Sequence, residues 1–226
     1  MWSELSLPWR AALEEAWSAS CSGCSPIGAA VVNESGDIIA RGRNHINDQN
    51  VLPGQICGSQ LAHAEINALL AVTCPHEEFH QLAIYTTMEP CPLCMGAIYM
   101  AGVRRIYYAC RDTYAGSVDM LGSTPYLSRK PVRAFGPQRG DLENILAAIQ
   151  TEHRLVKFHG DHSFVQEEWG KVYPQGVALG ERLAASRELV ALRIDGLKAE
   201  KVIDWLESQL LIQNPDSFDA NIGRNL

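Results

Sequence analysis

The sequence predicts an α/β domain, a β-sheet faced by helices, followed by a helical extension. Three observations predict it. Four short apolar, β-rich runs lie in the first 140 residues, at 26–32, 37–41, 82–87 and 106–110. Helical patterns separate them, and strands interleaved with helices fold as layered α/β domains. From Leu142 onward the apolar patterns have helical spacing instead. The expected division is one domain over residues 1–140 and a mostly helical C-terminal extension over 141–226.

Ser6-Leu7-Pro8 opens the first helix, with Ser6 as its cap and Pro8 tolerated in the first turn. Trp9, Leu13, Ala16 and Trp17 recur at helical spacing and are expected to face the core. Cys21-Ser22-Gly23-Cys24 reads as a loop with two ordinary thiols. An adventitious disulfide, or a four-cysteine zinc site shared with Cys91 and Cys94, are the alternatives; the second would leave His63 and Glu65 without a role. Runs 26–32 and 37–41 are joined by Asn33-Glu34-Ser35-Gly36, a hairpin signature. Asn44 follows the second strand. Its amide both donates and accepts, which suits a base or ribose edge and equally suits holding a loop together. Residues 46–60, rich in Asn, Asp, Pro and Gly and carrying Cys57, form a loop long enough to shape a pocket wall or lid.

Residues 64–72 are strong helix material, beginning at His63-Ala64-Glu65. The polar stretch 74–80 carries His76 and His80, expected at the surface. Strand 82–87 then delivers Cys91 near its end, where open α/β sheets place their ligands. Pro92 suits an early helical position, and 95–100 continues as an apolar helix. Arg111-Asp112 ends strand 106–110. Asp112 and Asp119, in or beside the exit loop 113–121, are candidates either to read a base edge or to cap the loop. Residues 123–140 read as a connector. Residues 142–150 form an amphipathic helix suited to covering one face of the sheet, and helical patterns recur at 164–171, 177–192 and 198–211, punctuated by Gly176 and Gly196. His153, His159 and His162 lack convergent partners and are expected at the surface. Residues 214–226 are polar and expected to fray. No catalytic constellation falls in the extension, for which a lid or a dimer contact is the expected role.

The chemistry concentrates in His63-x-Glu65 and Pro90-Cys91-x-x-Cys94. A catalytic zinc takes three protein ligands and leaves a fourth position for water. His63, Cys91 and Cys94 make such a set, and two thiolates with a neutral imidazole balance the charge of the ion. Zinc lowers the pKa of a bound water to near neutral, and Glu65 is the natural proton carrier beside it. Residues two apart do not share a face in mid-helix, so His63 and Glu65 converge only if the metal lies off a helix N-terminus. The same holds for Cys91 and Cys94 ahead of the second helix, where the helix dipole favours thiolate. A purely structural zinc would want a fourth Cys or His and would not need Glu65.

Composition narrows the class. The chain has 226 residues and a formal net charge of −7. No run of about 18 apolar residues is present, so no membrane span is expected. The N-terminal residues, acidic at Glu4, lack the basic and apolar regions of a signal peptide. Seven cysteines, an odd number with two already claimed by zinc, fit a reducing cytoplasm. Nucleic-acid binders carry a basic footprint. Here the only local one is Arg129, Lys130, Arg133 and Arg139, read as a solvated basic loop.

These motifs carry a resemblance. The pairing of His-x-Glu with Pro-Cys-x-x-Cys is the signature of zinc nucleobase deaminases. Residues 26–32, Gly42-Arg43-Asn44, 63–69 and 86–98 together resemble the cytidine deaminase-like superfamily. The nearest branch holds guanine deaminases, tRNA adenosine deaminases and fungal-type cytosine deaminases. The resemblance covers roughly the first 125 residues. It implies a three-layer α/β/α cytidine deaminase-like fold with a five-stranded mixed sheet, one strand more than the residues show. It implies zinc on His63, Cys91 and Cys94, Glu65 as the catalytic residue, and substrate contacts from Asn44, Ala64, Asp112 and Asp119. It implies hydrolytic deamination and a homodimer. Tyr108-Ala109-Cys110 is similar to guanine deaminases, whereas Arg111-Asp112 and Ala115-Gly116-Ser117 are similar to tRNA adenosine deaminases. A small nucleobase or nucleoside, guanine-type purines first, is the favoured substrate. A tRNA adenosine, a cytosine or cytidine, and a zinc-stabilised binding role without catalysis are the alternatives.

Overall fold

The computed structural model describes residues 1–138, 140–158 and 163–213. Arg139, His159, His162 and the polar segment 214–226 lie outside the described residues. Five strands form one mixed sheet in the order β2-β1-β3-β4-β5. They are β1 (Gly28–Val32), β2 (Ile38–Arg43), β3 (Ala83–Met88), β4 (Arg105–Cys110) and β5 (Arg133–Phe135). The hairpin β1–β2 and the β1–β3 pair are antiparallel, and β3–β4 and β4–β5 are parallel.

Strand alternation sends successive side chains to opposite faces, and here both faces are covered. Val31, Ile84 and Ile106 meet Met95 and Ile98 of α3 (Pro92–Ala101) and Ala64 and Ala68 of α2 (Ala64–Leu70). On the other face Tyr85 stacks on Tyr107, which stacks on Phe135, and Trp9 of α1 (Leu7–Cys21) packs edge-on against Tyr85. The three-layer expectation holds, with α1 and α4 (Asp141–Phe158) on this second face.

The strand legible only through resemblance is β5, inside the 123–140 connector. Its three residues are too few and too exposed to show a pattern. Lys130, read as part of a solvated loop, instead donates from Nζ to the carbonyls of Tyr99 and Met100 at the C-terminus of α3, at 2.6 and 3.4 Å.

The extension shares a core with α1. Leu142, Ile145, Leu146 and Ile149 of α4, with Leu206 and Leu210 of α8 (Ala199–Gln213), join Trp9, Leu13 and Trp17 in one apolar cluster. Polar ties reinforce it. Trp17 Nε1 donates to Leu197 O at 2.6 Å. Arg193, in α7 (Glu188–Ile194), forks onto Glu152 at 2.9 and 2.5 Å and donates from Nε to Ser20 Oγ.

Four expectations need correction. Gly176 does not punctuate; it lies inside α6 (Pro174–Ser186), because α6 crosses α4 so closely that a Cβ there would meet Asn144 O at 2.5 Å. The break within 177–192 falls at Arg187, in the left-handed conformation (φ 61°), which splits the segment into α6 and α7. His153 is buried in α4, not at the surface, and its Nε2 has no hydrogen-bond partner among the described residues. Ser6 stands at the N-cap of α1 but makes no side-chain cap bond. Among the described residues no helix is long and apolar enough to cross a membrane.

Candidate active site

Two helix starts converge at one point, as the His-x-Glu spacing requires. His63 is the N-cap of α2 with extended backbone, and Glu65 sits inside the first turn. Cys91 is the N-cap of α3, Pro92 its first residue, and Cys94 lies buried one turn in. His63 Nδ1 is 3.5 Å from Cys91 Sγ and 3.4 Å from Cys94 Sγ. The three ligand atoms all lie within 4.8 Å of one another. Zinc bonds of about 2.0 Å to nitrogen and 2.3 Å to sulfur at tetrahedral angles place those donors about 3.5 Å apart. The site therefore fits zinc. Among the described residues this is the one His/Cys/Asp/Glu group so arranged. Cys21, Cys24 and Cys57 are free thiols outside it.

The metal-free electrostatics follow from the contacts. The Cys91 thiol is pushed down to about 4, first by Cys94 beside it and then by His63. The Cys94 thiol is driven far up by the Cys91 thiolate, by burial and by Glu65. His63 is raised by its bond to Cys91. One proton thus stays on Cys94 where a divalent cation would replace it.

Glu65 is fully sequestered. Thr86 Oγ1, from β3, donates to its Oε1 at 2.9 Å, and Cys94 Sγ–H donates to its Oε2 at 3.3 Å. Burial raises its carboxyl above the usual range, opposed by the backbone amide and by His63. A carboxyl so placed holds and releases a proton beside the metal donors. Sequence reasoning missed Thr86; its only signal was the inward alternation of β3 just ahead of the cysteine motif.

Asn44 is buried between β1 and the His63 segment. Its N–H donates to Ile27 O, while the neighbouring His45 N–H donates to Ala62 O. Asn44 Oδ1 accepts from Ile46 N–H at 3.1 Å, so the loop-holding role is filled by that oxygen. Asn67, also missed, braces the 46–60 loop: its Oδ1 accepts from Ile56 N–H and its Nδ2 donates to Arg43 O. Ala64 is fully buried at the first position of α2, between ligand and acid. Asp112 Oδ1 accepts from the amides of Tyr114 and Ala115 and from Trp169 Nε1. This is a loop cap. Asp119 lies exposed in a short 3-10 turn, Val118–Met120.

Residues 4–110 match the family model described as the cytidine and deoxycytidylate deaminase zinc-binding region. The tRNA-specific adenosine deaminase of Agrobacterium fabrum is 37% identical over 150 residues, covering 64% of this chain and 92% of that protein. The chain belongs to this deaminase family. It is a zinc-dependent enzyme of the nucleobase and nucleoside deaminase class. The guanine deaminase of Bacillus subtilis is 35% identical to it over 122 residues, 50% of this chain and 72% of that one. A solved structure of a guanine deaminase from Nitrosomonas europaea aligns with this deaminase at TM-score 0.47 and 25% identity, covering 66% of this chain and 84% of that one. The family model stops at Cys110, the last residue of β4, so the exit loop and the C-terminal helices lie beyond it.

Proposed function

We propose that the enzyme hydrolytically deaminates a free purine base or nucleoside of the guanine type, with His63, Cys91 and Cys94 as zinc ligands and Glu65 as proton carrier. The observation that carries this is the sequestered Glu65 carboxyl, bonded to Thr86 and set against the metal-donor sulfur of Cys94. Zinc held by these donors would supply an activated water near neutral pH. Glu65 is placed to take one proton from water to a ring nitrogen and to carry a second, from the hydroxyl added to the ring carbon, to the departing amine, so that water and an amine-bearing carbon become a carbonyl and ammonia. Ala64 is assigned to substrate through its helix-start amide, Asn44 through its Nδ2 donors, and Asp119 through its exposed carboxyl. Asp112 acts through the loop it caps.

Two features support a small substrate over RNA. The net charge is −7. Two basic residues of the connector sit away from the cysteine-motif end of the sheet: Arg133 pairs with Arg105 at the start of β4 and Lys130 reaches the C-terminus of α3, while Cys110 and Met88 mark the end from which the cysteine motif departs. Five residues of strand separate the two ends by about 16 Å. The Bacillus guanine deaminase relative points the same way. A second reading, a tRNA adenosine deaminase, is supported by the Agrobacterium relative, which this chain covers most fully of the two. The homodimer reading is supported by exposed Leu70, Leu93 and Met100 on α2 and α3.

The test is ammonia release by zinc-loaded protein from guanine, guanosine, adenine, adenosine, cytosine, cytidine and an adenosine-containing anticodon stem-loop. Turnover of guanine or guanosine with an inert stem-loop is expected; turnover of the stem-loop alone overturns the proposal in favour of RNA. Glu65→Gln is expected to lower kcat by at least about 100-fold with zinc retained. Full turnover by that variant would sink the mechanism.

A further inference from the structure

The loop that leaves β4 is gripped from two sides. On one side is the cysteine-motif segment. Buried Glu89 accepts from Val118 N–H through Oε1 and from Asp112 N–H through Oε2, both at 3.3 Å. Ser117 N–H donates to Pro90 O at 3.0 Å, one residue before Cys91. The approach is so close that a Cβ on Gly116 would lie 2.4 Å from the Glu89 carboxyl carbon, which explains glycine there. The loop therefore rests on the backbone that presents the zinc ligand.

On the other side is the C-terminal extension. Trp169, in α5 (Ser163–Gly170), donates from Nε1 to Asp112 Oδ1 at 3.3 Å. Tyr173, at the start of α6, accepts from Arg111 N–H at 3.0 Å and donates its hydroxyl proton to Glu143 Oε2 of α4 at 2.9 Å. Both rings are buried, edge to face at 6.3 Å, and the Arg154 guanidinium lies 5.6 Å from the Trp169 ring centroid. Buried tryptophan and tyrosine find polar partners, and here each has one in the same loop, Asp112 for Trp169 and Arg111 for Tyr173.

We propose that Trp169 and Tyr173 are positioning residues for the deamination: they fix the 111–118 loop against the Glu89-Pro90 segment, and this grip sets substrate affinity. Neither side chain touches the reacting atoms. They act by holding in advance a loop that substrate binding would otherwise have to order, and pre-ordering a loop lowers the cost of binding. The extension is then a working part of the site. The affinity part of this proposal rests on the deaminase reading above; the loop part does not.

The test uses the full-length, zinc-loaded chain with Trp169→Phe, Tyr173→Phe and the double variant. Tyr173→Phe removes only the hydroxyl, whereas Trp169→Phe removes the indole N–H together with part of the buried ring. Amide hydrogen exchange is expected to accelerate about tenfold in residues 111–118 of the double variant and not elsewhere, with zinc content unchanged. With the substrate found in the panel, KM is expected to rise several-fold more than kcat falls. Wild-type exchange in the loop would overturn the proposal. So would acceleration spread over the whole chain, which marks a packing role alone, and so would a faster loop with unchanged KM. If wild-type protein turned over no panel compound, the deaminase reading would fail separately, and loop exchange would still decide whether the grip exists.

Discussion

Glu65 and His153 are both buried titratable groups, and their partners decide what each does. Glu65 has Thr86 and Cys94. Removing the Thr86 hydroxyl leaves one carboxyl oxygen without its donor, so Thr86→Val is expected to lower kcat about tenfold with KM and zinc content little changed. Unaltered kcat would show that Thr86 does not orient the acid. His153 has no partner for Nε2 among the described residues. Burial, then the charges of Lys157, Arg193 and Arg154, push it down to about 4 from an ordinary 6.5. The unfolded chain therefore takes up a proton at pH 6.5 that the folded chain refuses until about pH 4. Stability falls as pH drops through that window, by up to about 3 kcal/mol from this group. His153→Leu is expected to flatten the urea midpoint between pH 6.5 and 4, and an unchanged slope would exclude His153 as its source. At this scale the donor cluster and the carboxyl beside it are legible because zinc hydrolysis demands particular residue types at short spacing. Thr86 and Glu89 are not, since a hydrogen-bond partner on a neighbouring element leaves no mark in the local sequence.

Elements read well where a period existed. The four apolar strands and the helices at 64–72 and 92–101 emerged within a few residues, because burial of one face imposes the pattern. What failed had no period: β5 is three residues whose partner is fixed by β4. Gly176 misled for a different reason. It resembles a breaker, yet with Gly180 it forms the contact by which α6 lies on α4, with Cβ positions 2.5 Å from Asn144 O and from Thr151 Cβ. Alanine usually stabilises a helix over glycine by up to about 1 kcal/mol. Here overpacking against a backbone carbonyl should outweigh that, so Gly176→Ala is expected to destabilise by about 1–2 kcal/mol. Equilibrium urea unfolding measures it, and a stabilised variant would mean the two helices separate at little cost.

At the scale of the whole molecule, the sequence suggests a boundary near residue 140 because the family motifs end before it and the helical patterns begin after it. The core does not respect that boundary. Trp9, Leu13 and Trp17 of α1 share one cluster with Leu146, Ile149, Leu206 and Leu210. The fully buried Glu152 carboxylate is neutralised by Arg193, whose Nε also reaches Ser20 of α1. A chain ending at 140 would uncover the α1 side chains Leu13 and Trp17 and the β4 residues Ala109 and Cys110 that share the cluster with the later helices, and each large side chain uncovered forfeits about 1.5–3 kcal/mol. Several such losses exceed the 5–15 kcal/mol by which domains are typically stable. A fragment of residues 1–140 is therefore expected not to fold alone: it should lack near-ultraviolet circular dichroism and cooperative unfolding, while residues 1–213 retain both. Arg193→Ala in the full chain, leaving the buried Glu152 without its ion-pair partner, should cost about 3–5 kcal/mol. A 1–140 fragment that unfolds cooperatively and keeps zinc would instead make the extension a separable addition, and the grip of Trp169 and Tyr173 on the exit loop would then be the only reason for the enzyme to keep it.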